Sequence, residues 1–170
     1  MEKIQLVLDL THSYCNPLQK NLNLPNNIKF FTLADKSNNA ETQKRLYELV
    51  RIGVLDDPGI TGSFETFEQF LDNIFVPCYW ENAESQFLAS INGDWVGLSS
   101  ISIDSENATA KCGLTVVKKK YRGLGIATEL KRKTIEYSLR QGLSRMVTTV
   151  HKNNNPMLKV NRKLGFEICK

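Results

Sequence analysis

The run Val116-Val117-Lys118-Lys119-Lys120-Tyr121-Arg122-Gly123-Leu124-Gly125-Ile126-Ala127-Thr128 sets the architecture of this chain. A β-branched strand ends, glycines arrive at alternate positions, and an amphipathic helix begins at once. From Gly125 or Ile126 the helix runs to Arg140 and stops at Gly142. Ile126, Leu130 and Tyr137 share a face flanked by Ala127, Thr134 and Ser138, with Glu129, Arg132, Glu136 and Arg140 opposite. The first turn of a helix leaves backbone N–H groups without partners, and the macrodipole makes that end positive. Gly123 and Gly125 have no side chain to keep a phosphate from those amides, so the turn is an anion cradle. Lys118, Lys119, Lys120, Arg122, Lys131, Arg132 and Lys133 crowd the same region and suit a polyanionic ligand.

The kind of phosphate ligand follows by elimination. A nucleotide P-loop needs Gly, four residues, then Gly-Lys-Ser/Thr, and no such run exists. The dinucleotide fingerprint needs a third glycine where Thr128 stands. What remains is Arg-x-x-Gly-x-Ala, from Arg122 to Ala127.

Working outward, Ala110 to Val117 is the strand that feeds the cradle. Before it, Gln86 to Ile91 and Trp95 to Ile103 flank Asn92-Gly93-Asp94, where Asn-Gly supplies the positive φ angles of a tight hairpin. Asn38-Asn39 caps a helix from Ala40 to Ile52 that Asp56-Asp57-Pro58-Gly59 stops. Ser63 or Thr66 caps a second helix that ends before Pro77. Ile4 to Leu10 and Ile28 to Leu33 are strands, joined by an extended, Pro- and Asn-containing linker from Thr11 to Asn27. After the long helix come a strand at Met146 to Val150, a short helix from Asn155-Pro156, and a last strand at Phe166 to Cys169. The order β, β-α-α, β-β-β-α, β-α-β is α/β (mixed, α+β-like), a mixed central sheet with flanking helices.

Composition agrees with one folded domain: 170 residues, 41% apolar and 24% charged, exclude wholesale disorder. Cys15, Cys78, Cys112 and Cys169 form no close pair, which argues against a zinc site or a disulfide scaffold. Cys112 and Cys169 read as buried small hydrophobes. Ile4 to Leu10 is too short and too polar for a signal peptide or membrane span, so the expected location is cytoplasmic, with no metal and no membrane partner.

Arg122, Gly125 and Ala127 fill the signature Gln/Arg-x-x-Gly-x-Gly/Ala, after a strand and before a helix. Here the chain resembles the GNAT superfamily of acyl-CoA-dependent N-acyltransferases. Asn155-Pro156-Met157-Leu158-Lys159-Val160-Asn161-Arg162-Lys163-Leu164-Gly165-Phe166 is similar to the family's later Asn…Leu-Gly-Phe element, and the likeness covers roughly the chain from Ile28 onward. The resemblance implies an acetyltransferase domain over 28–170, with an N-terminal strand and linker at 1–27. It implies that the strand carrying Val116 and Val117 splays from the one carrying Val147 to Val150, with a pantetheine arm of acetyl-CoA paired with backbone groups of Leu114, Val116 and Val117, and Asn155 near that arm. Pyrophosphate oxygens would take N–H groups of Arg122, Gly123, Leu124, Gly125, Ile126, Ala127 and Thr128. The acceptor would be a primary amine of a small molecule or peptide, attacking the thioester directly.

The chain departs from the family pattern where proton transfer is concerned. A Tyr that protonates the thiolate in relatives is replaced by Asn161, whose amide can only donate a hydrogen bond to sulfur. No carboxylate lies between Thr109 and Tyr121, leaving Glu106, His151 or a water chain as candidate bases. A catalytically weak acyl-CoA sensor is therefore the alternative. Binding of RNA or DNA by the basic face is disfavoured by the lack of aromatic residues there beyond Tyr121 and Tyr137. Asp56, Asp57, Glu65 and Glu68 lie where such enzymes shape the acceptor pocket and would favour a cationic amine. Phe64, Phe67, Phe70 and Phe75 read as core. The chain stops soon after Phe166, where relatives continue into another strand. Ile4 to Leu10 is expected to occupy that slot, in its own sheet or in that of a homodimer partner.

Overall fold

The computed structural model describes residues 2–11 and 22–169. In chain order the elements are β1 (Lys3–Asp9), β2 (Ile28–Thr32), α1 (Ala40–Leu55) and α2, which starts at Phe67–Phe70 and continues over Leu71–Trp80. Then come β3 (Gln86–Ile91), β4 (Asp94–Asp104), β5 (Thr109–Val117), α3 (Ile126–Arg140), β6 (Arg145–His151), α4 (Asn155–Lys163) and β7 (Glu167–Ile168). The strands form one sheet in the order β2-β3-β4-β5-β6-β1-β7. Neighbours are antiparallel except β5 and β6, which are parallel. Most of the Thr11 to Asn27 linker lies outside the described residues.

Local chemistry explains the boundaries. Asn92 and Gly93 take φ of 51° and 82°, the mirror-image turn that joins β3 to β4. Asn39 caps α1 by accepting the Thr42 N–H at 3.0 Å. Pro77 does not end α2, contrary to the sequence expectation. Lacking an N–H, it cannot join an ordinary helical ladder, and the turns widen instead, so that Glu81 N–H reaches the Val76 carbonyl five residues back. Burial of Phe70, Phe75 and Tyr79 holds this irregular helix in place.

Helices α1 and α2 cover one face, packing Leu46, Leu49, Phe70 and Phe75 on Leu88, Leu98 and Val116. Phe64 and Phe67 join the same cluster, as core. Helices α3 and α4 cover the other face, where Ile135 and Leu158 meet Leu6, Leu8 and Met146. β1 thus lies between β6 and β7 of its own chain, with Leu6, Leu8 and Leu10 buried. Cys169, beyond the two-residue β7, is exposed and Cys112 is half-buried, so neither is the buried hydrophobe expected.

The sheet opens between its two parallel strands. β5 and β6 pair only over Thr109↔Arg145, Ala110↔Met146 and Lys111↔Val147. Beyond Lys111 they part. The cause is visible on the other side of β5: Ser99 faces Thr115 while Ile101 faces Cys112, so an extra residue sits in β5. Such bulges bend a strand. Gly113 makes the bend possible, since a Cβ there would lie 2.4 Å from Ser100 Oγ.

Candidate functional site

The cradle forms where β5 ends. A tight turn over Lys119–Tyr121 is followed by Gly123 and Gly125 with φ of 81° and 82°, both left-handed. Alternating left-handed residues turn successive amides toward one point. The first bond of α3 runs from Glu129 N–H to the Gly125 carbonyl at 3.0 Å. Ahead of it, Gly123 to Thr128 donate to no backbone carbonyl outside the helix among the described residues. Arg122 lines the cleft at this turn, but its own N–H donates to the Lys119 carbonyl at 3.2 Å. Its guanidinium is engaged too, donating Nε to the Val117 carbonyl at 2.8 Å and pairing with Asp56. Arg122 therefore locks the turn between β5 and α1.

A cleft of about 520 Å³ extends from this cradle along the splayed edge of β5. Thr115, Val116 and Val117 form one wall; Asn153, Asn154, Pro156, Met157 and Val160 form the other. The asparagines on the cleft are Asn153 and Asn154, whereas the expected Asn155 is exposed and does not line it. Asn154 is the N-cap of α4 and accepts the Met157 N–H at 3.3 Å, which leaves its NH₂ free to donate. Leu114 faces away from this cleft but lines a smaller chamber of about 100 Å³ that shares Asp56, Thr115, Asn154 and Met157 with it. Gly53, Asp56 and Asp57 come to the chamber from the α1 face, while Thr148 and Lys131 come from the α3 face. The chamber thus passes through the sheet where β5 and β6 part.

The positive charge is arranged differently from the sequence expectation. Lys118 and Lys120 turn to Asp94 of the β3–β4 hairpin, at 2.6 and 3.8 Å. Arg132 is clasped by Glu129 and Glu136, and Lys133 lies over Phe30. The cleft instead receives Lys159 and Lys163 from α4. Their spacing of four residues put them on one face, a signal that was legible once α4 was placed beside the cradle. Lys131, one of the basic cluster, is not a surface charge. Thr134, Ile135 and Ser138 follow it at helical spacing and all are buried, as is Lys131 itself. Glu129, expected on the solvent side, is also buried, held by Arg132 at 2.8 Å.

The candidate catalytic residues do not converge. Glu106 sits in the turn before β5, at the end where β5 and β6 still pair, so the length of β5 separates it from the cleft. At about 3.3 Å per residue, Thr109 is about 13 Å from Gly113 of the chamber and about 20 Å from Thr115 of the cleft, and Glu106 lies further back still. His151 closes β6 and accepts the Asn153 N–H on Nδ1 at 3.2 Å, lining neither cavity. Asn161 is fully buried, with neither amide atom hydrogen-bonded, and it too lines neither cavity. Of the acidic set, Asp56 and Asp57 reach the chamber, whereas Glu65 and Glu68 do not.

Residues 55–166 match the acetyltransferase (GNAT) family, and the chain belongs to that family. Among solved structures, a GCN5-related N-acetyltransferase from Sphaerobacter thermophilus is 19% identical with a TM-score of 0.74, over 98% of this chain and 48% of the other. A tandem GNAT protein from the clavulanic acid biosynthesis pathway is 23% identical with a TM-score of 0.69, over 98% of this chain and 50% of the other. The chain spans about half the length of both. The yncA acetyltransferase of Salmonella typhimurium, solved with acetyl-CoA, is 18% identical with a TM-score of 0.64, over 85% and 82% of the two chains. At these identities the likeness is one of fold, and it includes the mixed sheet. No helix among the described residues is long and apolar enough to cross a membrane.

Proposed function

We propose that this chain is an N-acetyltransferase that moves the acetyl group of acetyl-CoA to a primary amine of a small molecule or peptide. The observation that carries the reading is the continuous path from the amide cradle, along the open edge of β5, into the chamber between β5 and β6. Amides of Gly123 to Thr128 hold the pyrophosphate, and Lys159 and Lys163 offer charge to the remaining phosphate. The open edge of β5 at Leu114 to Val117 has backbone groups for the pantetheine arm, with Asn154 opposite. Residues 28–170 form the catalytic domain, to which 1–27 adds a strand.

Acetyl-CoA brings an activated acyl group, so this chain has to position the reactants and manage charge. Asp57 at the α1 mouth of the chamber, with Asp56 at the junction of chamber and cleft, attracts a protonated amine. Asp57 also accepts the Gly59 N–H at 2.8 Å, which fixes the loop it sits on. The test is release of free thiol from acetyl-CoA with a panel of small amines and peptides. Amine-dependent release supports the reading. Binding of CoA without release under any acceptor would favour a sensor.

A further inference from the structure

We infer that Lys131 is a catalytic residue of acyl transfer, its ammonium holding the negative charge that builds up in the chamber between β5 and β6. The inference rests on the acetyltransferase reading above. Lys131 is only 2% exposed, yet it lines the chamber. The salt bridges of α3 join Glu129, Arg132, Lys133 and Glu136 and leave Lys131 out. Its Nζ lies over the Phe166 ring, 5.3 Å from the centroid, the one partner recorded for it among the described residues.

A buried ammonium without a carboxylate is costly, and a fold keeps one where an anion comes to it. The chamber joins the cleft at Thr115 and Met157, so it receives the reactive end of whatever lies along β5. The amine, once it has given up its extra proton to water, forms a C–N bond to the thioester carbonyl and puts the displaced electron pair on oxygen. Return of that pair breaks the C–S bond and leaves the charge on sulfur, while the surplus nitrogen proton passes to water or to the departing thiolate. A fixed cation beside the reacting atoms stabilises such charge. Asp56 and Asp57 are the other charged groups on the wall. They lie at the opposite face of the sheet, and Asp56 is already paired with Arg122. The remaining lining side chains are uncharged.

Phe166 has a stated role in this arrangement. Its N–H donates to the Asn161 carbonyl at 3.1 Å, which seats the ring beneath the ammonium. The Leu164-Gly165-Phe166 element therefore supports Lys131, and Asn161 acts through its backbone.

The experiment measures the thiol pKa of bound CoA by thiolate absorbance, as a difference against protein alone, for the wild type and Lys131→Met. A cation beside the sulfur lowers a thiol pKa by about one to three units. The wild type should show that depression and Lys131→Met should lose it, while calorimetry gives CoA affinities within about threefold of each other. The same variant should lose about 10²–10³-fold in kcat, with KM for acetyl-CoA little changed. CoA bound by the wild type with an undepressed thiol pKa overturns the inference without any variant. So does a depression that survives in Lys131→Met. Failure of the wild type to bind CoA overturns the acetyltransferase reading itself, which separates the two.

Discussion

Alanine at Gly123 tests whether the cradle depends on backbone conformation. Gly123 has a φ of +81°, and a Cβ there meets no protein atom within 4 Å, so in the free protein the substitution perturbs conformation alone, and against a bound phosphate it adds only one methyl group. An L-residue held in the left-handed region costs about 1–2 kcal/mol. Nothing packs against the position to hold that strain, so the turn relaxes toward negative φ and the amides diverge. If the strain is moved from folding to binding in this way, CoA affinity falls by about 5–30-fold, since about 1.4 kcal/mol is tenfold. Gly142→Ala is the control. It has a φ of +71°, also with nothing within 4 Å, but at the other end of α3. It should lower Tm by about 2–8 °C and leave CoA affinity unchanged. Gly125→Ala should be worse than Gly123→Ala, because its Cβ would lie 3.0 Å from Leu22 Cδ2. Calorimetry and thermal melting on the three variants decide the matter. A Gly123→Ala protein that binds CoA within twofold of the wild type refutes the argument.

Gly53→Ala places a Cβ 2.8 Å from Val116 Cβ, between α1 and the strand lining the cleft, and should cost about 1–3 kcal/mol by chemical denaturation; an unchanged midpoint would contradict the packing described. Asp104 is held below the usual carboxylate range by hydrogen bonds from Lys111 and then Asn107. A depressed folded pKa adds stability above the unfolded value and loses it as pH falls through the folded one. Asp104→Asn should therefore flatten the fall of Tm below about pH 4, whereas parallel acid curves for both proteins would rule this out. Asp56→Asn removes a pair whose partners are both about half exposed, so Tm should move by less than about 1 kcal/mol equivalent. The same variant should weaken KM for a cationic amine, and an unaltered amine KM would remove Asp56 from the acceptor path. A chain beginning at Asn26 lacks Leu6, Leu8 and Leu10, each worth about 1.5–3 kcal/mol when buried. It should be insoluble or unfolded by circular dichroism; a folded, soluble monomer would show that β1 is dispensable.

The cradle and most of the element order were legible in the sequence because they rest on local chemistry. Asn92-Gly93 can hardly be other than a tight turn, and alternating glycines before an amphipathic run mark a helix mouth whatever the rest of the chain does. What escaped were features decided by packing. Pro77 looked like a terminator, but burial of Phe75 and Tyr79 outweighed the lost hydrogen bond. Lys118 and Lys120 looked like phosphate ligands, but Asp94, 24 residues before Lys118, neutralises them across the hairpin. Lys131 was legible as part of the basic cluster but not as buried, although Ile135 one turn later already placed it on a buried stripe. The cleft is bordered by Asn153 and Asn154 rather than by Asn155, because the helix N-cap and the residue before it, not the first helical residue, stand beside the opening.

The central claim is that main-chain amides at the start of α3 grip a diphosphate, and the most direct measurement is an amide proton–nitrogen spectrum during titration with CoA and, separately, pantetheine. The account predicts large downfield shifts of Gly123, Gly125, Ile126, Ala127 and Thr128 with CoA and little change there with pantetheine, with Arg122 moving less than its neighbours. Equal responses to both ligands, or CoA shifts confined to other parts of the sheet, would contradict it.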